Sequence, residues 1–135
     1  MRRVKGDSYW STDLHEAAVY GRLDRMPREV LTAENMGVGN IAGITPLHLA
    51  AENGWLNQVP MVAFTGNMLV KDVGGNTPLS LAVTNGYLSQ VPLGLELPEE
   101  ARAVVGEEWW ENNQAVLKLK VGLDETEVGA EVDIF

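Results

Sequence analysis

The chain has no cysteine among its 135 residues. Disulfide staples and thiolate metal sites are therefore excluded. Histidine is nearly as scarce. His15 and His48 are the only two, and no serine stands at a spacing that argues for a nucleophile–base–carboxylate grouping. Long apolar runs are missing too. The N-terminal Met1-Arg2-Arg3-Val4-Lys5-Gly6 is basic but leads into polar residues, so we expect no signal peptide, no membrane span and a cytoplasmic location. Positive charge is short as well. The net charge is −9. From Glu96 onward eleven acidic residues face only Arg102, Lys118 and Lys120. With no basic stripe to neutralise phosphates, nucleic acid is not an expected partner.

Charge of either sign nearly disappears between Asn35 and Leu95, where only Glu52, Lys71 and Asp72 carry it. Ordinary composition, about 25% charged, would place about 15 charged residues there. A water-facing surface so poor in charge usually meets something other than water. Other chemistry-bearing patterns fail on inspection. Gly37-Val38-Gly39 lacks the later glycine and the lysine of a phosphate loop. Asp124, Glu125, Glu127, Glu131 and Asp133 lack the spacing of a calcium-binding loop. The pairs Glu99-Glu100 and Glu107-Glu108 read as charges at helix starts. No enzyme activity, cofactor, metal or small-molecule substrate is expected.

What the chain does have is a repeat. Thr45-Pro46-Leu47-His48-Leu49-Ala50-Ala51-Glu52-Asn53-Gly54 returns as Thr77-Pro78-Leu79-Ser80-Leu81-Ala82-Val83-Thr84-Asn85-Gly86, and Thr12-Asp13-Leu14-His15-Glu16-Ala17-Ala18-Val19-Tyr20-Gly21 precedes both. The threonines Thr12, Thr45 and Thr77 follow at intervals of 33 and 32 residues. A period near 33 carrying T-P-L-H-x-A is the signature of ankyrin repeats, and Thr45 to Ala50 matches it at every fixed position. The chain thus resembles the ankyrin-repeat family over roughly residues 7 to 105.

The resemblance implies an all-α solenoid of helical hairpins that acts as a protein-binding module. We take residues 1–135 as one domain, with repeats at about 7–39, 40–71 and 72–105 and a C-terminal cap and acidic tail over 106–135. In each unit the threonine caps a first helix of about two turns, and proline sits at its first position, where a missing N–H costs nothing. Gly21, Gly54 and Gly86, nine residues on, suit left-handed helix ends. Gly43 and Gly75, two residues before their threonines, suit turns of positive φ; Trp10 stands in that place in the first unit. Leu23, Leu56 and Leu88 read as core. Asp24, Asn57 and Ser89 read as caps of a second helix. Pro27, Pro60 and Pro92 make that helix short or late-starting. Loops, Thr32–Met36 and Thr65–Met68, close the first two units.

Beyond Leu97 the repeat pattern fails. Pro98-Glu99-Glu100-Ala101 signals a helix start. Glu107 to about Val121 reads as a longer helix with Trp110, Gln114, Leu117 and Val121 on one stripe, and Trp109 and Trp110 packing the cap. Gly122 should end it. The tail from Asp124 reads as loose, with Glu131 to Phe135 alternating like a short strand.

By resemblance, His15 and His48 bridge backbone groups of adjacent units, a bridge weakened where Ser80 replaces histidine. The alternative reading is a general base or ligand. Partners of such proteins dock on the hairpin tips and the ends of the first helices. Here that surface comprises Ser8, Tyr9, Ser11, Val19 and Tyr20 in the first unit, Ile41, Ala42, Ile44, Glu52 and Asn53 in the second, and Val73, Gly74, Asn76, Thr84 and Asn85 in the third. Trp55 and Tyr87 follow the helix-ending glycines where Arg22 stands in the first unit. They read either as interface anchors or as residues folded back on the core. Met61, Val62 and Leu93 stand where Arg28 and Glu29 stand in the first unit, which opens a second reading, self-association through an outer apolar patch. A surface redesigned on an ankyrin scaffold and a natural obligate interface would leave the same pattern.

Overall fold

The computed structural model describes residues 13–64 and 66–129, with side chains described through residue 120. Among these residues there is no strand. Regular structure consists of six α-helices and several short 3₁₀ turns. The helices are α1 (Asp13–Tyr20), α2 (Ala33–Met36), α3 (Pro46–Asn53), α4 (Pro78–Thr84), α5 (Ala101–Val105) and α6 (Glu107–Gly129). The chain divides into two compact units, Met1–Val91 and Pro92–Phe135.

In the first unit, local chemistry sets the helix ends. Thr45 Oγ1 accepts from the His48 N–H, and the His48 ring answers by accepting from the Thr45 N–H, a reciprocal cap that satisfies two otherwise orphaned donors. Thr77 and Ser80 repeat this arrangement. Pro46 and Pro78 open their helices where no N–H is needed. Gly54 ends α3 in the left-handed region, at φ +82°. Helix α1 packs on α3, and α3 on α4. Ala17, Ala18, Ala50, Ala51 and Ala82 are buried, and such small side chains let neighbouring helices approach closely.

The second half of each repeat differs from expectation. No second α-helix forms at Leu23 or at Leu56. The proline splits each segment into two 3₁₀ turns, Leu23–Arg25 then Arg28–Val30, and Leu56–Gln58 then Met61–Phe64. Proline disfavours the α region for the residue before it, so Met26 and Val59 are extended and the helix cannot run through. Asp24, Asn57 and Ser89 lie inside their turns and not at the caps, which fall on Arg22, Trp55 and Tyr87 without a side-chain hydrogen bond. Leu23 and Leu56 are fully buried, as expected, and Leu88 is half-buried. Residues 33–36, expected as loop, form the one-turn helix α2, capped by Thr32 Oγ1 accepting from the Asn35 N–H at 3.0 Å.

The second unit is tied by one buried asparagine. Asn113 Oδ1 accepts from the N–H groups of Gly94 and Leu95 at 2.6 and 3.1 Å, and its Nδ2 donates to the Leu95 carbonyl at 2.9 Å. Leu95, Ala101, Val105 and Trp110 are buried in the same unit. Trp109 is half-buried. Arg102 links Glu99 to Glu107 across the α5–α6 junction. Its hydrogen bonds hold the Glu107 carboxyl below its ordinary range. Helix α6 does not stop at Gly122 but runs to Gly129. One interior glycine costs only about 1 kcal/mol, and the leucine and glutamates that follow are good helix formers. The tail is thus helical as far as Gly129, and the strand-like pattern over 131–135 lies outside the described residues.

Gly54→Val forces a β-branched residue to positive φ, and its Cβ would meet the Tyr87 ring at 2.8 Å. It should cost more than about 1 kcal/mol, and more than Gly86→Val, because an added Cβ at Gly86 meets nothing within 4 Å; equal thermal midpoints for the two variants would contradict this. Asn113→Leu leaves two buried N–H groups without an acceptor, at about 1–3 kcal/mol each. Faster amide exchange at Gly94 and Leu95 is the expected readout, and unchanged protection would refute the role given to Asn113.

Candidate binding surface

The surface rests on a frame of bonds that cross from one repeat to the next. His48 Nδ1 accepts from Thr45 N–H, so the proton sits on Nε2, which donates to the Asn76 carbonyl at 2.9 Å. His15 Nε2 reaches the Ile44 carbonyl at 2.8 Å in the same way. Both rings are buried. Ser80 bonds only within its own cap, to Thr77. Burial, first of all, pushes the His15 pKa below its ordinary 6.5, against the pull of the Ile44 and Val38 backbone.

Two further bridges recur. Gln58 Oε1 accepts from the Leu23 N–H, while its Nε2 donates to the Gly21 carbonyl. Gln90 Oε1 likewise accepts from the Leu56 N–H at 3.0 Å. Trp55 lies on Gly21, where an added Cβ would meet the indole at 2.7 Å, and its Nε1–H points to the Val19 carbonyl at 3.3 Å. Tyr87 lies on Gly54 in the equivalent position. Trp55 and Tyr87 are accordingly half-buried, each with one face turned to the preceding repeat. Sequence reasoning missed the glutamines. The available signal was that glutamine occurs thirteen residues after Thr45 and Thr77, whereas Arg25 stands at that offset in the first repeat.

The tips are built by side chains that imitate backbone. Asn40 Oδ1 accepts from the Ala42 and Ile44 N–H groups, and Asp72 Oδ1 from those of Gly74 and Asn76. Gly43 and Gly75 take positive φ, as expected. The two tips are joined where Val73 N–H donates to the Ala42 carbonyl at 2.9 Å. This leaves Ile41 and Val73 projecting, 73% and 80% exposed. Tyr20 is also exposed, with the Arg22 guanidinium 5.3 Å over its ring. Glu52, Asn53, Asn76, Thr84 and Asn85 are exposed, and Ala42 and Ile44 are half-buried. Ser8, Tyr9 and Ser11 lie outside the described residues. Met61 and Val62 are exposed on their 3₁₀ turn. Leu93 is exposed and belongs to the second compact unit.

A cleft of about 380 Å³ lies among Leu23, Asp24, Met26, Arg28, Leu31, Trp55, Asn57 and Gln58. That volume falls at the small end of the range for ligand sites. Among the described residues, no group of three or more histidine, aspartate and glutamate side chains is placed to hold a metal ion, and no helix is long and apolar enough to cross a membrane. No family model matches the chain, and neither does any curated protein.

The buried, uncharged His15 gives a pH dependence. The unfolded chain takes up its proton near 6.5 while the folded chain resists it. Its stability contribution is therefore complete above 6.5 and is lost as pH falls from there through the lowered folded value. Denaturation midpoints should fall over that window, and His15→Asn should flatten the slope. An equal slope in both proteins would show that another group is responsible.

Proposed function

We propose that the chain is a non-catalytic, ankyrin-type scaffold that binds another protein in the cytoplasm. The observation that carries this reading is the contrast between a fully bonded frame and its unsatisfied apolar tips. Ile41 and Val73 sit on loops held by the Asn40 and Asp72 turns and by the Val73–Ala42 backbone bond, so little order remains to be gained on binding. Around them stand polar residues and very little charge, the composition of an interface with an apolar centre and a polar rim. Two helices capped by threonine, α3 and α4, with α1 packed on α3 and α3 on α4, support the ankyrin-type reading. The histidines support the absence of catalysis, because His48 commits both ring nitrogens to the backbone and to its own cap.

A second reading, self-association, is favoured by Met61 and Val62, which are exposed side by side on the 3₁₀ turn Met61–Phe64. Light scattering on a sizing column separates the two. A monomer at high concentration is expected from the first. A dimer or larger species that Met61→Glu/Val62→Lys dissolves would establish the second. For the tips, a photo-crosslinking residue at Ile41 or Val73 should trap one common adduct that the same residue at exposed Glu34 does not. The same adduct from all three positions would remove the tips from the interface.

A further inference from the structure

The sequence contains two Asn-Gly pairs, Asn53-Gly54 and Asn85-Gly86, at equivalent places in the second and third repeats. This dipeptide is chemically weak, because a glycine amide nitrogen meets no side chain of its own as it attacks the preceding asparagine. The two pairs have near-identical intrinsic reactivity, being followed by Trp55 and Tyr87, both aromatic. Their surroundings differ. Asn53 is the last residue of α3, and the Gly54 N–H is held by the Ala50 carbonyl in the left-handed cap. The Tyr87 ring lies against Gly54, so close that a Cβ there would meet it at 2.8 Å. Asn85 lies one residue beyond the end of α4, at φ −95° and ψ 5°. The Gly86 N–H bonds to the Val83 carbonyl at 3.2 Å, and an added Cβ at Gly86 would have no neighbour within 4 Å.

We infer that Asn85 is a site of spontaneous deamidation in the folded protein and that Tyr87 shields its counterpart Asn53. The deprotonated Gly86 nitrogen attacks Asn85 Cγ. A new N–Cγ bond closes a five-membered imide, the Cγ–Nδ2 bond breaks, and the side-chain nitrogen leaves as ammonia after protonation. Water then opens the imide at either carbonyl, giving aspartate or isoaspartate. Solvent water is the only co-reactant and no electron changes hands. To reach Cγ, the Asn85 side chain must leave its bond to the Leu81 carbonyl, and its ψ must turn. Asn53 has the equivalent bond to Leu49, but turning its ψ also pulls Gly54 off Ala50 and out from under Tyr87. The product places a carboxylate at a helix C-terminus, the end that repels it, within the charge-poor stretch between Asn35 and Leu95.

The test is an incubation of the full folded chain in mildly alkaline buffer, followed by peptide mapping with detection of isoaspartate, beside the same chain in denaturant. In denaturant the two asparagines should react at similar rates. In the folded chain Asn85 should convert at least several-fold faster than Asn53, and Tyr87→Ala should raise Asn53 towards the Asn85 rate. Asn85→Gln, which folds without the reactive pair, should abolish the major product. Equal rates at the two sites in the folded chain, or no detectable conversion of Asn85 there, would overturn the inference.

Discussion

Helices of seven and eight residues do not hold together alone in water, where about 12–15 residues are needed for even marginal stability. Everything in the first unit follows from that shortfall. Helices α3 and α4 draw stability from caps of their own, and all three draw it from the repeat beside them. The caps spend Thr45, Thr77, His48 and Ser80 on orphaned backbone groups. The lateral support comes from buried alanines and leucines, which remove apolar surface from water without holding the backbones apart.

Lateral packing alone does not specify how far one repeat is displaced along the next. Directional bonds do. His15 to Ile44, His48 to Asn76, Gln58 to Gly21 and Leu23, and Gln90 to Leu56 each join a side chain of one repeat to a backbone group of its neighbour. Asn67 adds one more, donating to Ala33 and Ala63. Buried polar groups left unpaired are costly, so a slip by one residue would break several of these together. No buried side-chain nitrogen or oxygen among the described residues lacks a partner. This is how a stretch almost free of charge still keeps a single arrangement.

The same economy explains what is left on the outside. With the polar groups committed inward and to the caps, the tips retain Ile41 and Val73, which have no partner in their own repeat to cover them. The positive-φ glycines serve two ends. They end helices and form turns, and at Gly21 and Gly54 their missing side chains make seats for Trp55 and Tyr87. Where the seat is empty, as at Gly86, the backbone is left chemically accessible.

Much of this was legible in the residues. Thr45, Pro46 and Gly54 announced where α3 begins and ends, and Gly43 and Gly75 announced the turns, because those signals act over three or four residues. The burial of His48 could be expected from its place in the motif. Other features depended on groups about 35 residues apart, and no local pattern decides such contacts. Trp55 and Tyr87 could have faced a partner, and only the tertiary structure seats them on Gly21 and Gly54. Gln58 and Gln90 join the frame only because the backbone of Gly21, Leu23 and Leu56 stands within their reach. Gly122 carried a stop signal, yet α6 continues through it, because one interior glycine costs a helix only about 1 kcal/mol. The chain by itself determined the ends of α3, the turns at Gly43 and Gly75, and the repeat length. Tertiary structure decided which aromatics and amides belong to the frame, since that depends on what the adjacent repeat places within reach.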